Sequence, residues 1–363
     1  MYCNLLWPKR ELALDAPRGD IQLGYCLTCN HIYNYAFDSS KVEYTQAYEN
    51  SLHFSPRFQQ YATSLANHLI ERYDLHGKTI VEIGAGKGDF LIMLCEQGNN
   101  RGLGFDPSYE PDLADHRSDR VSFIQDYYSE QYAGHEADLI CCRHVLEHIA
   151  DPKDFLTAIR RALAENHDAV VFFEMPSAKY TLVNLGIWDI IYEHCSYFSH
   201  DSLAWIFRQT RFQVLNLAET FSGQFLTIEA RSARDTTVTN NKLENLSQFV
   251  ADFDNKYRQK VSFWQNELNK IVKSGQRAVV WGAGSKGVSF LNVVDSSHAI
   301  KYLVDLNPRK HNMYVAGTGQ QIVSPEFLTE YQPDLVVIMN PNYEDEIRQR
   351  LANMNLAPRI RIA

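Results

Sequence analysis

The apolar positions of this chain change their period along its length. From Thr79 onward, short apolar runs ("TIVEIG", "GLGFD", "VSFIQ", "ADLICCR", "AVVFFEMP") alternate with stretches of helical spacing. That alternation predicts parallel strands covered on both faces by helices. Ahead of them, residues 46–76 predict a helix, since "RFQQYATSLANHLIERY" spaces its apolar side chains three and four apart. After Pro176 comes a long irregular section, then two more strand-like runs, "FQVLNLAE" and "FLTIEAR". Residues 233–241, "ARDTTVTNN", predict a polar linker, and residues 242–273 a long amphipathic helix. Its apolar face would carry Leu243, Leu246, Phe249, Val250, Phe253, Tyr257, Val261 and Phe263. A second strand–helix alternation begins at residue 276, with "RAVVWG", "IKYLVDL" and "DLVVIMN". The expected fold class is α/β, a Rossmann-like core with a second, smaller Rossmann-like domain. The expected divisions are a loop-rich segment 1–45, a core domain 46–235, a linker and long helix 236–275, and a C-terminal domain 276–363.

Composition narrows the function classes. A chain of 363 residues exceeds one ordinary core, which agrees with several domains. Its apolar runs are too short to span a bilayer, and Lys9, Arg10, Glu11 and Asp15 interrupt the first twenty residues where a signal peptide would be apolar. The net charge of −9 without a basic stripe disfavours a nucleic-acid partner. Seven scattered cysteines, an odd number, point to reduced thiols and hence to the cytoplasm.

Two glycine loops follow strands. In "TIVEIGAGKGDFL", Glu82 stands just ahead of Gly84-Ala85-Gly86, with Gly88 beyond. A carboxylate there repels a phosphate and attracts a cation, and S-adenosylmethionine is a cation without phosphate, carrying an ammonium and a sulfonium. Asp106, ending the next strand, suits a ribose diol. The third strand ends in Gln125 and Asp126, and Asp126 suits an adenine amino group. In "AVVWGAGSKGVSFL" the second loop, Gly282, Gly284 and Gly287, has the dinucleotide spacing, with Asp305 ending the following strand. No acid precedes it and Lys286 lies inside it, so it is the more hospitable of the two to phosphate. Residues 276–363 predict only one βαβ half plus a strand, however, and a dinucleotide site needs two halves. A nicotinamide cofactor is therefore disfavoured here.

On these residues the sequence resembles the class I S-adenosylmethionine-dependent methyltransferases, with "VEIGAGKGDF" matching their first motif over roughly residues 46–235. "DLICCRHVLEHIADP" resembles the segment at their fourth strand, where Arg143 and His144 would face the cofactor. His144, Glu147 and His148 fit an ordinary helix start equally well. The added "GAGSKG" domain makes the whole chain similar to the sugar C-methyltransferase family. Those enzymes join a zinc-binding N-terminal domain, a methyltransferase core and a C-terminal Rossmann-like domain that helps hold a nucleotide-linked keto-sugar. The resemblance implies a small-molecule acceptor, a nucleotide-sugar or related carbonyl compound, and no cofactor in the second loop.

Two site expectations follow from the resemblance. Cys26 and Cys29 form the C-x-x-C of a zinc knuckle. The family supplies two such pairs and only one stands here, so two reduced thiols on a turn remain the alternative. In "WDIIYEHCSYFSHDSL", residues Glu193, His194, Ser196, Tyr197, Phe198 and Ser199 match the family's Tyr-His-Glu-His-x-Ser-Tyr-Phe-Ser stretch, whereas Ile191 and Tyr192 depart from it. Methylating carbon beside a carbonyl requires an enolate, and imidazole is a suitable base. The expectation is His194 as general base, Glu193 orienting it or binding an acceptor hydroxyl, and Tyr192 as a further catalytic candidate. The departures leave O- or N-methylation of another small metabolite open. An oxidoreductase built on the second loop is the reading from a different class.

Overall fold

The structure is a computed structural model, and it describes residues 3–42, 45, 47–110, 119–132, 136–163, 166–233, 246–295 and 299–363. Near the N-terminus, β1 (Leu23–Tyr25) and β2 (Ile32–Asn34) form a hairpin whose turn carries Cys26 and Cys29. The core strands are β3 (Thr79–Ile83), β4 (Arg101–Phe105), β5 (Val121–Ile124), β6 (Leu139–Arg143) and β7 (Val170–Pro176). A two-residue β8 (Ser196–Tyr197) follows, and then β9 (Phe212–Thr220) and β10 (Phe225–Ser232).

Seven of these strands form one sheet in the order β5-β4-β3-β6-β7-β10-β9. The first five are parallel, and β10 inserts antiparallel between β7 and β9. The parallel strands are apolar on both faces because helices cover both; β6, "LICCR", is buried at every position. The β8 strand leaves this sheet and pairs with β2, so the N-terminal hairpin is stitched to the chain just after His194.

The helix expected over residues 46–76 begins only at Pro56 and ends at Tyr73. Pro56 sets its first turn, and the Ser55 side chain accepts from Phe58 N–H as the cap. Residues 47–54 are therefore loop. The linker expected at 233–241 lies almost wholly outside the described residues, as does Leu243. The long helix runs from Ser247 to Ser274. Phe263, expected on its apolar face, is 53% exposed, and Trp264, Leu268 and Ile271 are buried instead. Over seven turns the buried stripe drifts around the helix, so a face chosen from its first half misses its second.

A second sheet contains β11 (Ala278–Trp281), β12 (Ile300–Val304), β13 (Gln321–Val323), β14 (Leu335–Ile338) and β15 (Arg359–Ile362). It is fully parallel in the order β13-β12-β11-β14-β15. This corrects the expectation of one βαβ half plus a strand. The three-residue β13 and the charged β15, "RIRI", lack the apolar run that marks a buried strand. The order reverses between β11 and β14, which is the topological switch point where α/β sheets bind ligands.

Polar bonds join the two sheets across the space between them. Gln224 and Asn340 exchange side-chain hydrogen bonds (2.7 and 3.0 Å), and Ser55 Oγ donates to Glu346 Oε2 (2.6 Å). Glu49 accepts from Asn307 (3.0 Å) and pairs with Arg309 (3.2 Å). The N-terminal segment docks on the second sheet's domain through the Trp7–Tyr314 bridge.

Candidate active site

The first glycine loop leaves β3 with Gly84 at φ +71°, and a Cβ there would come within 2.1 Å of Val145 Cγ2. Only glycine fits, because the backbone is left-handed and the segment after β6 presses on it. Asp106, after β4, accepts from Gly86 N–H (2.7 Å) and from Ser108 N–H (2.7 Å), so its carboxylate fixes the loop's shape. The second loop repeats the device: Asp305, after β12, accepts from Ala283 N–H (2.8 Å).

A cavity of about 100 Å³ opens at the first loop, lined by Glu82, Gly84, Ala85, Gly86, Arg143 and His144 among others. Six of the ten residues expected at the donor thus share one space. Gly88, Asp106, Gln125 and Asp126 do not line it. Gln125 is exposed, and Asp126 accepts from Tyr132 OH (2.6 Å) and Gln131 (3.1 Å). Glu82 is 3% exposed, and burial raises its carboxyl to about 8. Its Oε2 has no hydrogen-bond partner.

Beneath this cavity lies a buried ion cluster. Glu174, wholly buried at the end of β7, accepts from Arg143 Nε and Nη2 (3.1 and 2.8 Å) and from Tyr61 OH. Burial alone would raise the Glu174 carboxyl, but Arg143 and His144 outweigh it and hold it at about 2. His144 has a left-handed backbone (φ +55°), and its Nε2 lies 3.0 Å from Glu174 Oε1 and its Nδ1 3.7 Å from Glu147 Oε1. Burial disfavours charge on this imidazole, yet the two carboxylates lift it to about 9. His144 is therefore an imidazolium at neutral pH.

A larger cavity of about 250 Å³ lies between the two sheets. His144 lines both cavities, with Tyr48, Asn50, Ser51 and Leu52. From the core domain come Glu147, His148, Asp189, His194 and Gln224. From the second domain come Gly282, Gly284, Ser285, Lys286, Lys310 and Asn340, which are residues at the switch point of its sheet. The second glycine loop and His194 thus face one space. Lys286 Nζ pairs with Asp189 Oδ1 (2.5 Å), so its charge is matched within the core domain.

His194 is 7% exposed, and its Nδ1 donates to the main-chain carbonyl of Asp189 (3.1 Å). A carbonyl only accepts, so the proton sits on Nδ1 and the lone pair on Nε2. His148 has the same tautomer, with Nδ1 donating to the Glu193 carbonyl (2.9 Å), and the two rings lie edge to face at 4.9 Å. Burial lowers both imidazoles to about 4, so both are neutral at pH 7.

Two catalytic expectations are corrected. Glu193 neither orients the His194 ring nor lines the cavity. Its side chain is fully buried, and Oε1 accepts from Cys3 N–H, tying down the N-terminal segment that brings Asn4 to the cavity. Tyr192 points under the N-terminal region, where its hydroxyl accepts from Asp38 N–H (2.9 Å) and its ring packs on Phe37. A Cβ at Gly19 would meet that ring at 2.1 Å. Pattern reading treated the stretch as one catalytic strip, but successive side chains in this irregular segment turn to opposite sides.

Cys26 and Cys29 share the β1–β2 turn, where Cys26 N–H donates to the His31 carbonyl (2.8 Å). Among the described residues, no third zinc-type ligand gathers with them. The neighbouring His31 is packed between Tyr33 and Phe198. All seven cysteines are unbridged thiols. Among the described residues, no helix is long and apolar enough to cross a membrane. Tyr48, Asn4, Gln224 and Asn340 carried no sequence signal, because each reaches the site from a loop or strand end across the domains.

Residues 57–217 match a methyltransferase-domain family, and residues 224–357 match the C-methyltransferase C-terminal domain family. A curated relative, C-methyltransferase NovU of Streptomyces niveus, is 28% identical over 310 residues, spanning 79% of this chain and 72% of the relative. Among solved structures, the magnesium protoporphyrin IX methyltransferase ChlM of Synechocystis PCC 6803, with bound SAH, is 20% identical. It spans 49% of this chain and 84% of its own, with a TM-score of 0.38. The riboflavin-analogue dimethyltransferase RosA of Streptomyces davawensis is 16% identical over 48% and 56% of the two chains, with a TM-score of 0.39.

Proposed function

We propose that this chain, an S-adenosylmethionine-dependent methyltransferase with a C-methyltransferase C-terminal domain, transfers methyl to carbon beside a carbonyl in a nucleotide-linked sugar or related metabolite. The observation that carries this reading is the pair of cavities sharing His144. One is built on Glu82 and the first glycine loop, the other on His194 and the second.

The donor belongs in the first cavity. The buried Glu82 carboxyl, whose Oε2 has no hydrogen-bond partner, suits its ammonium once ionised, and Gly84–Gly86 let the backbone approach it. Asp106, which holds the Gly86 N–H, and Asp126, two residues beyond β5, remain candidates for the ribose and adenine. When bound, the donor supplies an electrophilic methyl on sulfur.

The acceptor belongs in the second cavity. His194 Nε2 takes the α-proton, and its hydrogen bond to the Asp189 carbonyl holds the lone pair toward the acceptor. The resulting enolate carbon would take the methyl as its bond to sulfur breaks and S-adenosylhomocysteine leaves, a step governed chiefly by positioning. The charged His144 stands between the two spaces and stabilises negative charge developing there. The N-terminus of helix Ser285–Val294 and the Lys310 ammonium suit the acceptor's phosphates. On this reading the second loop holds substrate and no nicotinamide.

The test is a screen of nucleotide-sugars and carbonyl metabolites for a methyl mass increment, with solvent deuterium exchange at the acceptor's α-carbon. An acceptor that gains methyl on oxygen or nitrogen, with no carbon exchange, overturns the C-methylation reading in favour of O- or N-methylation.

A further inference from the structure

We infer that Glu147, His148 and His194 form a site for a divalent transition metal, of the Zn²⁺ class, at the wall of the acceptor cavity. One carboxylate oxygen and one nitrogen from each imidazole all lie within 4.8 Å of one another.

Three observations point to a ligand there. Glu147 is 2% exposed, yet its Oε2 has no hydrogen-bond partner. A buried carboxylate oxygen left bare is costly and marks a place where a cation fits. Each imidazole donates its Nδ1 proton to a main-chain carbonyl, which leaves the lone pair on Nε2. That backbone anchoring of the far nitrogen is how metal-bound histidines are oriented. The cluster also lies on a cavity wide enough for a fourth ligand from water or from an acceptor oxygen.

The geometry requires a modest closure. A tetrahedral zinc with bonds of about 2.0–2.2 Å holds its ligands roughly 3.4 Å apart. Small side-chain rotations bring the three atoms in from 4.8 Å. Two neutral nitrogens and one carboxylate suit Zn²⁺ and its neighbours better than Mg²⁺ or Ca²⁺, which prefer all-oxygen shells.

One consequence rests on the proposed function. The metal occupies the Nε2 lone pair through which His194 takes a proton, so the metal-loaded enzyme does not turn over. Free Zn²⁺ then acts as a reversible inhibitor at the base itself.

The experiment uses the full chain carrying Cys26→Ser and Cys29→Ser, so that thiols do not compete. Co²⁺ titration should give one equivalent bound, with a visible d–d band and no near-ultraviolet thiolate band. Glu147→Gln and His148→Gln should each weaken that binding by roughly tenfold or more, with S-adenosylhomocysteine binding retained as proof of folding. The unmutated chain supplies a second measurement that needs no variant. In histidine ¹⁵N spectra, Zn²⁺ should shift Nε2 of two imidazoles while their Nδ1 stays protonated. Absence of the band and of the shift, or a band indifferent to both substitutions, overturns the site. If metal binds as described but added Zn²⁺ leaves methyl transfer untouched, the site stands and the base assignment to His194 falls.

Discussion

The Nδ1 proton of His194 is donated to the main-chain carbonyl of Asp189, 3.1 Å away, while the Asp189 carboxylate holds Lys286 of the second domain at 2.5 Å. One residue thus orients the candidate base through its backbone and anchors the second glycine loop through its side chain. The tautomer, and with it the direction of the lone pair, is fixed by a group that cannot titrate.

His194→Ala should lower turnover about 10²–10⁴-fold, the usual cost of losing a general base, while donor affinity holds. Because burial keeps the imidazole at about 4, its neutral form persists well below the ordinary histidine range. A pH–rate profile of kcat/KM should place its acid limb near pH 4 rather than near 6.5. A variant that turns over normally moves the base elsewhere. His144 is a poor replacement, being charged at neutral pH, and Tyr192 points away from the cavity.

Glu82 should release a proton when the donor binds. Its carboxyl sits near 8, so at pH 7 it is mostly protonated, and pairing with an ammonium requires the carboxylate. Calorimetry in buffers of different ionisation enthalpy should detect the release, and Glu82→Gln should abolish it. The same substitution should weaken donor affinity by about 1.5–3 kcal/mol, the worth of a charge-assisted bond. A folded-state value above the unfolded 4.5 means stability that is present at low pH and lost as pH rises through 8. The melting temperature should fall as pH rises from about 4.5 to 8, and less so in Glu82→Gln.

Glu174→Gln should destabilise the fold by about 3–5 kcal/mol, since it leaves the Arg143 guanidinium buried without its counter-charge. Arg143→Met combined with Glu174→Gln should recover part of that loss, which denaturant midpoints will register. Glu174 is held at about 2 in the fold against 4.5 when unfolded. Its stabilisation is present above pH 4.5 and disappears as pH falls toward 2. Equal stability of Glu174→Gln and the double variant would mean that the loss does not come from the unpaired guanidinium.

Lys310→Met should raise KM for a nucleotide-linked acceptor with little change in donor affinity, because Lys310 lines the larger cavity and not the one at the first glycine loop. Steady-state kinetics with the acceptor and with a fragment lacking its phosphates gives the comparison. If both substrates lose equally, Lys310 supports the loop through its contacts with Asp305 and Ala283 and touches no phosphate.

Both glycine loops and the core strands were legible in sequence, because they are local. A buried parallel strand is an uninterrupted apolar run, and the glycine loop after it must turn sharply within a few residues. The end of the long helix was less legible, since its buried stripe drifts away from Phe263. The outer strands β13 and β15 were illegible because each is short or charged and forms only by adding to a neighbour already in place.

What the sequence by itself determined is the class of fold, the first glycine loop with Glu82 ahead of Gly84, and the presence of His194 in a stretch rich in ionisable groups. Each follows from residue type and spacing along the chain. What only the tertiary structure decided is direction and company. Tyr192 and Glu193 immediately precede His194 in sequence, yet their side chains turn away to Asp38 and Cys3. His148, forty-six positions earlier, stands beside it. Irregular backbone has no period, so which way each side chain points is settled by the surfaces that close around it, here the N-terminal segment on one side and the second domain on the other.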